Sequence, residues 1–210
     1  MALTPVGILG GAFDPPHAGH VALARAATGR FDLARLLVTV VESPGHKHPV
    51  APAAVRCHLA ELAFADVEGA EVELEPHART VDALEARRLD DPIFLIGADE
   101  LVAFPTWKEP DRVLELARLG VATRPGFPAD QLAAAVAALP RPERAILFEL
   151  EPLPISSRDL RARAARGEPL DGLVPPAVAD EISRLGLYRA GRIAATADTL
   201  GPLQKGRRET

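Results

Sequence analysis

The sequence predicts an α/β fold: an open parallel sheet with helices on both faces. Three observations predict it. Short apolar runs alternate with longer amphipathic ones along the chain. One of those runs, Leu36–Val41, is continuous and rich in β-branched residues, as a strand buried on both faces should be. The chain has 210 residues and is 48% hydrophobic, enough to bury one good core. Strands alternating with helices imply right-handed crossovers and parallel pairing, with ligands bound beyond the carboxyl ends of the strands.

The elements follow in order. Val6–Leu9 reads as a first strand that stops at Gly10-Gly11. His20–Thr28 is an Ala-rich helical stretch suited to close packing on a sheet. After Leu36–Val41, the segment Pro52–Val67 places Val55, Leu59, Leu62 and Ala63 on one helical stripe. Cys57, Ala60 and Phe64 give it a second apolar face, so this helix should be covered on two sides. Glu71–Glu75 alternates, which suits a strand nearer an edge. Ile93–Ile96, Gly120–Ala122 and Ala145–Leu150 complete the strands, and Asp111–Arg118 and Ala129–Leu139 are further helices. Val178, Ile182 and Leu185 form the stripe of a last helix that Gly186 can end. Residues 1–189 are thus expected to form the folded domain, and 190–210, with little apolar periodicity, a loose tail.

Composition excludes several function classes. A net charge of -5 and a pI near 5.7 argue against a general nucleic-acid binder, which usually shows a basic face. One Tyr, one Trp and seven Phe give little material for stacking long single strands. Small anionic substrates remain open, because they respond to local charge in a cleft. No apolar run approaches the ~18 residues that span a bilayer, and Met1-Ala2-Leu3-Thr4-Pro5 lacks the basic start of a signal peptide. With a single cysteine, Cys57, and no possible intrachain disulfide, the expectation is a cytoplasmic protein with no membrane or nucleic-acid partner. The sequence carries no signal for oligomeric state.

The chemistry-bearing segment near the start is Gly10-Gly11-Ala12-Phe13-Asp14-Pro15-Pro16-His17-Ala18-Gly19-His20. It follows a strand and opens a helix. The two glycines let the backbone approach a ligand, and Asp14-Pro15-Pro16 makes a rigid turn. His17 and His20 then share the face of a helix start with unpaired N–H groups and the positive end of the dipole. Two imidazoles and free amides suit a polyphosphate. A metal pair would need a third ligand, and none is evident nearby, so no metal site is expected. The Gly-Lys-Ser/Thr of a Walker loop is missing.

A second segment, Ile155-Ser156-Ser157-Arg158-Asp159-Leu160-Arg161, reads as a helix start. Ser156 is a good N-cap, and Asp159 three residues on completes a capping-box pattern. Its N–H groups would again face an anion, and Arg161 one turn in adds a fork suited to phosphate oxygens. Read alone, it is more often an ordinary capped surface helix with an arginine face.

Taken together these strings resemble the nucleotidylyltransferase superfamily, with its GGxFDPxHxGH and ISSTxxR signatures, and in particular bacterial nicotinate-nucleotide adenylyltransferases. The resemblance runs from about Val6 to Tyr188 and implies a Rossmann-like fold. It implies that AMP passes from ATP to nicotinate mononucleotide, giving the deamido dinucleotide and pyrophosphate, with Mg²⁺ accompanying ATP. By position, His17 and His20 bind the ATP phosphates during transfer, and Ser156, Ser157 and Arg161 form the second phosphate element. The ATP side then comprises Gly10, Gly11, Phe13, His17, His20, Gly97, Asp99, Ile155, Ser156, Ser157 and Arg161. The acceptor side comprises Ala12, Lys47, Arg56, Thr80, Trp107 and Arg124, and Lys47 joins His17, His20 and Arg161 as catalytic.

Several of these residues have a second reading. Lys47 is a point charge for a phosphate or part of a turn. Asp99 accepts from a ribose hydroxyl or caps the next helix, Thr80 holds the acceptor ring or caps a helix, and Trp107 stacks a pyridine ring or belongs to core or lid. The chain departs from the family pattern at Gly45 (family PPHK or PPHR), Arg79 (commonly Tyr), Ala83 (commonly Thr) and Arg158 (Thr). Two other functions stay open on the same core. One is transfer to nicotinamide mononucleotide, a phosphopantetheine-like acceptor or a nonstandard nucleotide. The other is a non-catalytic nucleotide-binding paralogue.

Overall fold

In the computed structural model, the described residues are 5–45, 48–123, 127–151 and 153–189. Six parallel strands form one sheet: β1 (Val6–Gly11), β2 (Arg35–Val41), β3 (Ala70–Glu75), β4 (Ile93–Gly97), β5 (Arg118–Thr123) and β6 (Ala145–Glu149). Their spatial order is β3-β2-β1-β4-β5-β6. The chain therefore builds outward from β1 in one direction, then returns to the other side of β1 at β4, which creates a topological switch point between β1 and β4.

Helices α1 (Ala18–Phe31), α2 (Ala53–Phe64), α3 (Thr80–Arg87), α4 (Ala98–Ala103), α5 (Pro110–Leu116), α6 (Ala129–Ala137), α7 (Ser157–Ala165) and α8 (Pro176–Leu185) complete the fold. Successive side chains in a strand point to opposite faces, and both faces are covered. Leu9, Val38, Val40, Ile93 and Leu95 pack with Ala24, Val55, Leu59, Leu160, Val178 and Ile182, so α1, α2, α7 and α8 cover one face. Ile8, Leu37, Phe94 and Ile96 pack with Val81, Leu84, Leu101, Val113 and Leu114, so α3, α4 and α5 cover the other. The predicted double burial of α2 holds: Val55, Leu59, Ala60 and Phe64 are all buried.

The alternating segment Glu71–Glu75 lies in β3, at the sheet edge, as its pattern predicted. Gly186 ends α8 in the left-handed conformation, φ 62. Two boundaries differ from the sequence reading. The predicted helix Asp111–Arg118 stops at Leu116, because Ala117 is extended and Arg118 already pairs with Ile93. Helix α1 starts earlier and runs on past Thr28 to Phe31, where Asp32 closes it with a left-handed cap. Among the described residues no helix is long and apolar enough to cross a membrane. The predicted tail, 190–210, lies outside the described residues.

Candidate active site

The ladder between β1 and β4 is registered at Gly7–Ile93 and Ile8–Phe94. Beyond it β1 continues to Gly11 and β4 to Gly97, so the strands part toward their carboxyl ends. Gly10 and Gly11 flank one side of this opening and Gly97 the other. The glycines have a packing role the sequence did not reveal. A Cβ on Gly11 would lie 3.0 Å from the Phe13 ring, and one on Gly10 3.3 Å from both Phe94 Cζ and Thr39 Oγ1. Neighbouring side chains therefore already occupy the space that the missing Cβ atoms release.

Phe13 turns the chain out of β1 with a left-handed φ of 48. Its ring is 2% exposed and sits in the core, edge-on to Phe64 at 5.7 Å. That revises its expected role in ATP binding: its side chain is an anchor, and only its backbone can face a ligand. The same ring lies edge-on to His20 at 5.0 Å. On its other side the His20 imidazole stacks against His17 at 3.7 Å. His17 is the N-cap of α1 and its backbone N–H donates to His20 Nδ1, 3.2 Å. A neutral His20 that accepts at Nδ1 carries its proton on Nε2, which makes Nε2–H the ring's donor.

His17 Nδ1 is buried without a hydrogen-bond partner among the described residues. Burial disfavours the charged ring and lowers the His17 pKa to about 4. The imidazole is thus neutral at pH 7 in the free protein. In an NMR pH titration its resonances are expected to move with a midpoint near 4, and a midpoint at the ordinary 6.5 would contradict the buried, neutral ring. Because the folded value is depressed, the associated stability is fully present above pH 6.5 and is lost as pH falls toward about 4.

Asp14, read from sequence only as part of a turn, is the hub of the site. It is 3% exposed. Its Oδ2 accepts from the Val50 N–H at 2.7 Å, and its Oδ1 accepts from the Ala51 N–H at 3.1 Å and the Tyr188 hydroxyl at 2.9 Å. Burial and the adjacent Asp14 carboxylate push the Tyr188 phenol well above its usual value, so it remains a donor. The chain's only tyrosine thus ties the end of the domain to the first motif. The peptide bond Asp14–Pro15 is cis.

The second motif docks on the same loop. The Ser157 hydroxyl donates to the Pro15 carbonyl at 2.9 Å, and Arg161 Nη1 donates to the Asp14 carbonyl at 2.6 Å. Ser156 is the N-cap of α7, as predicted: its Oγ accepts from the Asp159 N–H at 3.1 Å. Asp159 does not reach back to the Ser156 backbone; instead its Oδ2 accepts from the Ser156 hydroxyl at 2.7 Å. Ile155, just before the cap, is half-buried, and Arg158 is exposed. The N-termini of α1 and α7 therefore meet at one loop, although Ser157 lies 137 positions after His20 in sequence.

An aromatic cluster packs on the face of the sheet covered by α3, α4 and α5. Trp107 follows a short 3₁₀ turn at Phe104–Thr106 and packs edge-on to Phe94 at 6.1 Å and tilted on Phe104 at 5.2 Å. The Lys108 ammonium pairs with Asp82 at 2.7 Å, which draws this loop to the first turn of α3. Thr80 is the first residue inside α3 and Arg79 occupies the cap position, so the reading of Thr80 as a cap does not hold. The same applies to Asp99, which lies in the first turn of α4 behind the capping residue Gly97.

Arg56 differs most from expectation. It is 1% exposed. Its Nε donates to the Ala51 carbonyl at 3.0 Å, its Nη1 to Ala12 at 2.6 Å and Val41 at 2.9 Å, and its Nη2 to Glu42 at 2.8 Å. Four of the five guanidinium N–H groups are committed to backbone. Arg56 is a strut that joins the first motif to the end of β2, so it is withdrawn from the predicted acceptor contacts. Ala12 is its partner there, and the Ala12 carbonyl faces the strut. Lys47 and Arg124 lie outside the described residues.

Comparison with known proteins agrees with this geometry. The family described as cytidylyltransferase-like matches residues 8–163. A "Probable nicotinate-nucleotide adenylyltransferase" of Roseiflexus sp. is 38% identical over 204 residues, covering 90% of this chain and all of the relative. One from Thermus thermophilus is 38% identical over 193 residues, covering 88% of this chain and 99% of the relative. In shape, the chain resembles the Plasmodium falciparum nicotinic acid mononucleotide adenylyltransferase complexed with NaAD. The TM-score is 0.72 at 16% identity, with 89% of this chain and 98% of that one covered, which speaks to the fold alone. With relatives this similar across nearly its whole described length, the chain belongs to the nicotinate-nucleotide adenylyltransferase family.

Proposed function

We propose that this protein transfers AMP from ATP to nicotinate mononucleotide, forming the deamido dinucleotide and pyrophosphate in NAD biosynthesis. The observation that carries the reading is the docking of Ser157 and Arg161 onto the loop that bears His17 and His20, at the carboxyl end of β1. The acceptor's phosphate oxygen attacks the α-phosphorus of ATP in line, the new P–O–P bond forms, and the bond to pyrophosphate breaks. The attacking oxygen is already an anion, so no general base is required. Catalysis reduces to holding two mutually repelling anions together and neutralising the charge that develops on the leaving group.

In this reading the amides after Gly10 and Gly11, the His17 and His20 rings, Ile155, Ser156, Ser157 and Arg161 attend the triphosphate, with Gly97 and Asp99 beside the nucleoside. Trp107 and Thr80 flank the acceptor ring. Among the described residues no group of three His, Cys, Asp or Glu could hold a metal ion. Mg²⁺ would accompany ATP, bound through its phosphate oxygens.

The test is pyrophosphate release from ATP with a panel of acceptors. Nicotinate mononucleotide should be used best, and release with a different phosphorylated acceptor but not with this one would overturn the assignment. In the same assay Arg161→Ala is expected to raise KM for ATP about tenfold, the loss of one charge-assisted hydrogen bond, and to change KM for the acceptor less. The reverse pattern would move Arg161 to the acceptor side.

A further inference from the structure

We infer that Arg79 discriminates among acceptors, its guanidinium recognising the carboxylate on the acceptor's aromatic ring in the compartment between Trp107 and the start of α3. The inference rests on the adenylyl-transfer reading above and deepens it.

Gly45 and Arg79 are both departures from the family pattern, and the structure brings them together. Arg79 Nη2, Cζ and Nη1 lie 3.4, 3.5 and 3.8 Å from the point a Cβ on Gly45 would occupy. The guanidinium therefore lies against the Gly45 backbone, on the loop that leaves the carboxyl end of β2. The two departures thus sit side by side, with a long cation at one position and a bare backbone surface at the other.

Arg79 is exposed, and its fork is not consumed. Among the described residues, no carboxylate or carbonyl accepts a hydrogen bond from Arg79. Its neighbours behave differently. Arg87, at the far end of the same helix, is paired with Glu73 and Glu75, and Arg112 with Glu85 and Glu115. Arg79 is the N-cap residue of α3, with the extended backbone usual there (φ -120, ψ 138), but its side chain makes no cap hydrogen bond.

The segment that carries Arg79 is braced. Glu75 ends β3 and is 3% exposed. Its Oε1 accepts from the His77 N–H at 2.9 Å and lies 2.6 Å from His77 Nδ1, and its carbonyl accepts from the Glu42 N–H at 2.9 Å. These contacts fix the chain immediately before Arg79 to the end of β2. On the other side, the Lys108–Asp82 pair holds the Trp107 loop against the first turn of α3. An acceptor ring lying on Trp107 has that turn as its second wall. A carboxylate on the ring can take the unpaired fork bidentately, whereas a neutral amide leaves the charge without an anion. Discrimination then comes from a polar group satisfied by one substrate and left unmatched by the other.

The experiment compares wild-type protein with Arg79→Gln and Arg79→Lys, using ATP with nicotinate mononucleotide and, separately, nicotinamide mononucleotide. The readout is the ratio of kcat/KM for acid over amide, an internal ratio that a general loss of folded protein does not move. Arg79→Gln is expected to lower that ratio about tenfold, the size of one charged hydrogen bond, and Arg79→Lys to lower it less. An unchanged ratio in Arg79→Gln overturns the inference, as does an equal loss on both acceptors, which would place the guanidinium on the shared phosphoribosyl part. If the wild-type protein makes no dinucleotide from either acceptor, the transfer reading itself fails and takes this inference with it.

Discussion

Replacing His20 with alanine is expected to lower kcat by about 100-fold or more, the usual loss of one preorganised donor at a developing anion, while the protein stays folded. The expectation follows from how the ring is held. Phe13 supports it from the core at 5.0 Å, His17 stacks on it at 3.7 Å, and the His17 N–H at 3.2 Å fixes which nitrogen carries the proton. Such a ring aims its donor without reorganising at the moment of reaction, which is what makes a hydrogen bond catalytic rather than merely binding. His17→Ala should be comparably damaging, since it removes both the stacking partner and a ring whose buried Nδ1 has no partner among the described residues. Neither ring is a core side chain, so far-ultraviolet circular dichroism and the melting transition should stay close to wild type. The measurement is single-turnover adenylyl transfer at saturating ATP. Turnover within a few-fold of wild type in either variant would sink the assignment, because a donor that acts in the transition state cannot be lost that cheaply.

Much of this site could be read from sequence because its parts are contiguous. The run from Gly10 to His20 is a strand end, a turn and a helix start in eleven residues, and the structure keeps that local order. The same holds for the Ser156 cap and Asp159, whose partnership lies within one turn. What was not legible are the contacts that close over long separations. Asp14 looked like a turn residue because its acceptors' donors, Val50, Ala51 and Tyr188, lie 36, 37 and 174 positions away. The weak signal was an acid inside an otherwise apolar or histidine-bearing motif, together with a lone tyrosine at the end of the predicted domain. Helix ends near Leu116 misled for a related reason. The residues through Arg118 are helix-compatible locally, but pairing of Arg118 with Ile93 in the sheet decides the matter. Sequence places Phe13 among the ligand contacts, because nothing near it in the chain reveals Phe64, its packing partner.

Arg56 makes the same point with the largest consequence for stability. A sequence reading put it among the acceptor contacts, as a cation near a phosphate; the structure buries it and gives it the carbonyls of Ala12, Val41, Glu42 and Ala51. The two roles predict opposite outcomes for Arg56→Met, which keeps much of the volume and removes the donors. A ligand contact would leave the melting temperature alone and raise KM for the acceptor. A strut leaves four backbone acceptors in a water-poor place without donors, costing about 3–5 kcal/mol. For a protein of this size that is a fall of roughly 10 °C in melting temperature. The strut is the expected outcome, with Arg56→Lys intermediate, because an ammonium keeps the charge but its three donors cannot reproduce a planar fork bridging four carbonyls. Activity should fall as well at temperatures where the variant remains folded. The Ala12 carbonyl belongs to the loop that places His17 and His20, and without Arg56 nothing among the described contacts ties that carbonyl to the end of β2. A thermal melt that matches wild type, with only the acceptor KM raised, would return Arg56 to the substrate.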